Sequence, residues 1–235
     1  VLASLEYDHA DIYPSEAAYR RAFEQLLELL PPQGLLVACR DYPALVALAS
    51  KSPAPVIFYG LGPGEGYGAE EISHDADGTS FTVVCPDGER HRVRLSLAGE
   101  HNVANCLAVL AVVRSLGIPL AAAVPHLAHF PGVARHLQER GRVEGVTVID
   151  DFAHHPTKVR ATVQAARKRY AGQKLIAVFE PRSNTSRRKV FQNQYVLSFD
   201  DADEVILVPP FRAEQIPPEE RLDSEKLAAD LRARG

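Results

Sequence analysis

Asp150, Asp151, His154 and His155 lie in one short segment, DDFAHHPT, directly after the apolar run VTVI. Carboxylates and imidazoles so grouped can bind ribose hydroxyls, move protons or ligate a metal. Pro156 suits the first turn of a helix, where its missing N–H is no loss. The cluster therefore belongs to a strand-to-helix crossover, the edge of an open α/β sheet where ligands bind. The plainer alternative is capping by Asp151 with exposed histidines, which leaves the other members of the cluster unexplained. One β-α unit later, FEPRSNTSRR repeats the arrangement with Arg182, Ser183, Asn184 and Thr185. A planar guanidinium at such a position suits a carboxylate, which it can hold through two hydrogen bonds. An ordinary solvated turn is the alternative. Successive parallel strands present their carboxyl ends to one rim, so Arg182 and His154 are expected at a common crevice.

Three further stretches carry candidate chemistry. LEYDHADIYP places Asp8, His9 and Asp11 just past a short apolar strand. Such a set can ligate a divalent cation, although spacing alone favours an acidic capping turn. GEHNVANCLAVL puts His101, Asn102 and Asn105 in the first turns of a helix, with the asparagines three apart on one face. An amide offers the donor and acceptor that an adenine edge requires; N-capping by Asn102 accounts for only one of the three. GLGPGEGYG is rich in glycine, but no lysine follows it as a Walker loop demands. It also leads towards strands rather than into a helix, so it is expected to be a flexible connector.

The elements that must position these residues alternate. Residues 15–30 have helical apolar spacing and end at Pro31-Pro32; GLLVAC, YPALVALAS and PVIFYG follow as strand, helix and strand. FTVVC and HRVRLSL form a hairpin around Asp87-Gly88, and a long helix from Gly99 and a shorter one over 119–129 come next. FPGVARHLQERG has no clear apolar face and is expected to be an interdomain hinge. A second β/α series then runs from residue 143. It comprises VEGVTVID, a helix from Pro156, KLIAVFE, a helix over SRRKVFQNQYVLSF, DEVILVP, a proline-rich loop and a final helix.

Hydrophobic residues make up 46% of the 235 positions and charged residues 24%, as in globular domains, and the net charge is −4 without a basic block. This argues against nucleic acid or an anionic membrane as the main partner. No apolar run is long enough to span a bilayer. The three cysteines are widely spaced, giving neither a disulfide framework nor a zinc knuckle. Methionine is absent even from position 1 and the chain opens inside an apolar stretch, so it is expected to be a piece of a longer protein.

In their order, LEYDHAD, GEHNVAN, FPGVARHLQERG, DDFAHHPT and FEPRSNT resemble motifs of the Mur ligase family of ATP-dependent amide-forming enzymes, over essentially the whole chain. The resemblance implies an α/β fold in two parts. Residues 1–138 would be a central ATP-binding domain, incomplete at its N-terminal side, with a parallel sheet plus a small hairpin region. Residues 139–235 would be a partial Rossmann-like C-terminal domain. It implies ATP and Mg²⁺, a bacterial cytoplasmic location, and no nucleic acid or membrane partner. His101, Asn102 and Asn105 would hold adenine, and His9 would be a metal ligand. Asp151 would contact the ATP ribose and, with His154 near the incoming amine, form the catalytic pair. His155, Arg182 and Asn184 would contact substrate. Where the family usually has two adjacent arginines, this chain has Arg135-His136, so a neutral His136 stands at the phosphate-contacting position, with Arg135 or Arg140 available to compensate.

The DD-aromatic-x-HHPT pattern is shared with the branch that adds L-alanine to UDP-N-acetylmuramate. The RSNT form resembles the branch that joins L-alanyl-γ-D-glutamyl-meso-diaminopimelate to UDP-N-acetylmuramate in cell-wall recycling. The implied chemistry is an acyl phosphate attacked by the peptide amine, on closure of the C-terminal domain. The UDP-sugar domain, the Walker loop and the last part of the C-terminal domain are missing from the pattern, so the piece alone is expected to be inactive. The L-alanine-adding ligase is one alternative. A non-catalytic nucleotide- or peptide-binding module, or a metal-dependent hydrolase, is another.

Overall fold

The structure, a computed structural model, describes residues 1–234. Ser15 caps the helix Glu16–Glu28 (α1) by accepting from the Ala18 amide at 3.2 Å, and Leu27 is its buried residue. Leu36–Cys39 (β1) is buried at all four positions, the pattern of a strand covered on both faces. Pro43–Ala49 (α2) starts on its proline and buries Leu45, Leu48 and Ala49. Val56–Tyr59 (β2) then pairs with β1 in parallel, Leu36 opposite Val56, while Leu2 bridges Ala38 on the other edge of β1.

Three antiparallel strands follow, Gly68–Asp75 (β3), Gly78–Val84 (β4) and Arg90–Leu95 (β5), with β4 central. The hairpin at Asp87-Gly88 is as expected; β3 is an addition that the sequence pattern hides. A bulge between Glu70 and Ser73 breaks its alternation, with Glu71 at φ 53°. Glu100–Ser115 (α3) packs on β1 and β2 through Val103, Cys106, Leu107, Leu110 and Ala111. Leu120–Leu127 (α4) lies against β5 and α3.

The connector GLGPGEGYG is clamped, contrary to the flexibility expected of it. The Arg40 guanidinium donates to the carbonyls of Gly60, Gly62, Glu65 and Tyr67, at 2.7 Å for Tyr67. Asp41 accepts from the Leu61 and Gly62 amides at 2.7 and 2.9 Å. Gly66, at φ 98°, passes so close to Phe58 that a Cβ would lie 1.9 Å from its carbonyl oxygen. Only glycine fits there.

Val1–Tyr7 and Tyr13–Pro131 form one compact unit; Asp8–Ile12 clusters with the residues from Gly132 on in a second. In the second unit the expected hinge is partly strand. Gln138–Val143 (β6) pairs antiparallel with Val146–Asp150 (β7) across Glu144-Gly145, both at positive φ as a tight hairpin turn needs. Pro156–Arg169 (α5) follows. Ile176–Phe179 (β8) pairs in parallel with Glu204–Leu207 (β9), Ile176 opposite Glu204. Among the described residues β7 pairs with β6 and β8 with β9, so the continuous parallel β7–β8 edge expected from the sequence is not formed.

The helix expected over SRRKVFQNQYVLSF is also shorter: a 3₁₀ turn at Lys189–Phe191 leads into Gln192–Tyr195 (α6). Gln192 bonds both backbone groups of Asp223, at 3.0 and 2.9 Å, just before Ser224–Arg234 (α7). Val159, Val163, Phe179, Phe191, Tyr195, Phe199, Leu222 and Leu227 make the core of this unit.

Candidate functional site

In the first unit the candidate residues start α3. Gly99 enters the helix at φ 97°, and Asn102 turns its amide back to the Ala98 carbonyl at 2.8 Å, beside the His101 ring at 3.1 Å. Asn102 is thus used by the helix start itself. Asn105 is exposed one turn on and lines an apolar groove of about 420 Å³ with Tyr59, Ala108, Val109 and Val112. An amide at the edge of an apolar slot has the chemistry to hold a flat heterocycle with polar edges.

The crossover after β7 is tightly wired. Asp151 accepts from the amides of Leu137 and Ala153, each at 2.7 Å, and from the Thr162 hydroxyl at 3.3 Å. Arg135, in the left-handed region at φ 61°, accepts the Phe152 amide on its carbonyl at 2.8 Å. Its guanidinium lies 4.7 Å from the Phe152 ring centroid and 3.4 Å from the Asp150 carboxylate. The structure therefore gathers Arg135, Asp150 and Asp151, while His136 is exposed with its ring on the Ala134 carbonyl at 3.1 Å. His155 has a different place from the substrate contact expected of it. It is 6% exposed, caps α5 by accepting from the Thr157 amide, and packs edge-on against Phe191.

His154 points its Nδ1 at the Phe152 carbonyl, 3.0 Å away, and its Nε2 lies 3.8 Å from the Asp8 carboxylate. The buried Tyr195 hydroxyl donates to the His154 carbonyl and fixes the backbone beneath it. The same Asp8–Ile12 turn meets the RSNT loop: Ala10 donates to the buried Thr185 hydroxyl at 3.1 Å, and Asn184 donates to Asp11 at 2.8 Å. Asp8 and Asp11 thus link His154 to Asn184 within this unit, a link that no motif spacing announces. Asn184 is committed further, since its oxygen accepts from Arg187 at 2.8 Å. Arg182 is the exposed member, 3.5 Å from Glu180 and 4.4 Å over the Phe211 ring.

His9 is exposed at φ 56° on that turn. Asp8 is occupied by the His9 amide and by His154, and Asp11 by Asn184, so the turn is no preformed cage. What the turn leaves uncommitted towards a cation is the single exposed imidazole of His9. The trio Cys85, Asp87 and Glu89 is close enough to share an ion, but Arg114 pairs with both carboxylates and burial raises the Cys85 thiol. No helix of the described residues is long and apolar enough to cross a membrane.

Residues 1–113 match the Mur ligase middle domain and residues 136–235 the Mur ligase glutamate ligase domain. The chain is 33% identical, over all its length, to half of a UDP-N-acetylmuramate–L-alanine ligase of Sorangium cellulosum. It is 36% identical, over 98% of its length, to 44% of the protein of that name from a Synechococcus strain. It spans about half the length of these curated relatives. Among solved structures, a UDP-N-acetylmuramate–alanine ligase of Thermotoga maritima aligns with TM-score 0.73 at 25% identity, over 97% of this chain and 47% of that one. A murein peptide ligase of Psychrobacter arcticus aligns with TM-score 0.65 at 25% identity, over 99% of this chain and 47% of that one. Two Mur ligase domains, met in the order of the sequence motifs and carried on the α/β architecture of these structures, place the chain in the Mur ligase family.

Proposed function

We propose that this chain serves an ATP-dependent amide ligase that joins L-alanyl-γ-D-glutamyl-meso-diaminopimelate to UDP-N-acetylmuramate, the reaction of a murein peptide ligase. The observation that carries this reading is the RSNT crossover after β8: Thr185 and Asn184 are anchored, and Arg182 is exposed on an aromatic platform. An anchored loop with a displayed guanidinium is suited to hold the carboxylate of an incoming amine. In this scheme the lactyl carboxylate oxygen takes the γ-phosphoryl group of ATP, releasing ADP. The peptide amine then attacks the acyl carbon, the bond to the phosphate oxygen breaks, and phosphate leaves. Mg²⁺, with His9 as one ligand, would supply charge neutralisation at the phosphates.

His154 has the geometry to take the proton that the attacking amine must lose. With Nδ1 donating to the Phe152 carbonyl, Nε2 is the ring nitrogen left to receive that proton, and the Asp8 carboxylate lies 3.8 Å from it. Asp151 and His155 act beneath it, as hydrogen-bond hub and helix cap. Asn105 and its groove are assigned to the adenine, with His101 and Asn102 shaping the helix start. Arg135 and His136 face the phosphates in this assignment.

Arg182→Ala in the protein carrying this chain should raise the KM for the tripeptide at least tenfold and that for ATP by less than twofold, as loss of about 1.4 kcal/mol of carboxylate binding requires. Equal effects on both substrates would remove Arg182 from the amine site. The names of the curated relatives support a second reading, the same chemistry with free L-alanine as the amine.

A further inference from the structure

Phe211 carries two guanidinium groups. The Arg182 carbon lies 4.4 Å from its ring centroid and the Arg212 carbon 5.1 Å. The two cations can be no further apart than those distances together, and both are exposed. The platform is fixed from below: the Phe211 amide donates to the Pro181 carbonyl at 3.0 Å, and its carbonyl accepts from Arg187 at 3.1 Å. Arg187 also donates to Asn184, so the loop after β9 and the loop after β8 form one hydrogen-bonded piece. Arg212 itself is held at φ 51°, ψ 47°, a left-handed conformation that is unfavourable for a bulky residue. Among the described residues its guanidinium meets no carboxylate, whereas Arg182 has Glu180.

Two exposed guanidinium groups share one ring, and the one on left-handed backbone has, among the described residues, no carboxylate partner to occupy it. A single carboxylate is served by one guanidinium. We infer that Arg212 is a specificity-determining residue that, together with Arg182, selects an amine substrate bearing more than one carboxylate, with Phe211 as the shared platform. The inference rests on the tripeptide reading above and adds to it how a peptide rich in carboxylates is told from a free amino acid.

The test uses the protein carrying this chain, with Arg212→Gln and Arg212→Lys beside the wild type. The amines are the tripeptide and the same tripeptide with its diaminopimelate carboxylates amidated. Arg212→Gln should raise the tripeptide KM about tenfold, with KM for ATP within twofold, and Arg212→Lys should recover part of the loss. Amidation should weaken the wild type about tenfold and add little to the Arg212→Gln loss, because both remove the same contact. If Arg212→Gln leaves the tripeptide KM unchanged while Arg182→Ala raises it, the inference is wrong and the tripeptide reading stands. Fully multiplicative losses from amidation and Arg212→Gln also overturn it. If the wild type ligates L-alanine and not the tripeptide, the functional reading itself fails, and the inference with it.

Discussion

Asp151 shows how one side chain can be visible in a sequence and still have its work hidden. Its type and its place after a strand mark it as a ligand contact, yet both of its oxygens are engaged, by Leu137, Ala153 and Thr162. Asp151→Ala should therefore destabilise the protein by on the order of 3 kcal/mol, since hydrogen bonds to a charged group are worth roughly 1.5–3 kcal/mol each. Urea unfolding would measure this, and a change below about 0.5 kcal/mol would show that the carboxylate is dispensable to the crossover. His155 is a second case: the resemblance implies a substrate contact, but successive residues at a helix entry point in different directions, and this one faces Phe191. Arg40 and Asp41 follow β1 without any motif. The signal was there in their position, a charged pair at the end of a buried strand.

At the scale of elements, runs with a clear period were legible and runs without one were not. β1, β2, β4, β5, α1, α3 and α5 all stand where apolar spacing put them. β6 did not show because five of its six residues are exposed, which leaves no alternation to see. In SRRKVFQNQYVLSF, Phe191, Tyr195 and Phe199 recur every four residues and are all buried, as a helix would have them. The backbone nevertheless leaves the α-helix there: the Gln194 carbonyl takes the Ser198 hydroxyl and the Leu197 amide, and the Ser198 amide goes to Tyr195 instead. Such competition between side chain and backbone is invisible to periodicity.

The three-stranded sheet offers a pH test. The Arg94 hydrogen bonds and the Asp77 amide hold the Asp75 carboxyl down at about 2, against an ordinary 3.8. A depressed acid stabilises the fold above its ordinary value, and that stabilisation is lost as pH falls towards its folded value. Wild type should thus be more stable than Asp75→Asn at neutral pH, with the difference closing between pH of about 4 and about 2. A gap in urea midpoint that stays constant over that range would mean that the Asp75–Arg94 pair does not couple to folding.

For the molecule as a whole, the two-domain Mur ligase architecture was legible from the order of five motifs, and the family domains confirm the kinship. The choice of amine was not legible in the same way. It depends on a few displayed side chains, and the relatives at 33–36% identity bear the name of the L-alanine ligase. In the proposed reaction the Arg182 and Phe211 surface receives a peptide. The direct test supplies UDP-N-acetylmuramate and ATP to the protein carrying this chain, with either the tripeptide or L-alanine, and follows ADP release with product formation. Ligation with the tripeptide is expected at a kcat/KM at least a hundredfold above that with L-alanine, about 2.7 kcal/mol of discrimination. A clear preference for L-alanine would contradict it.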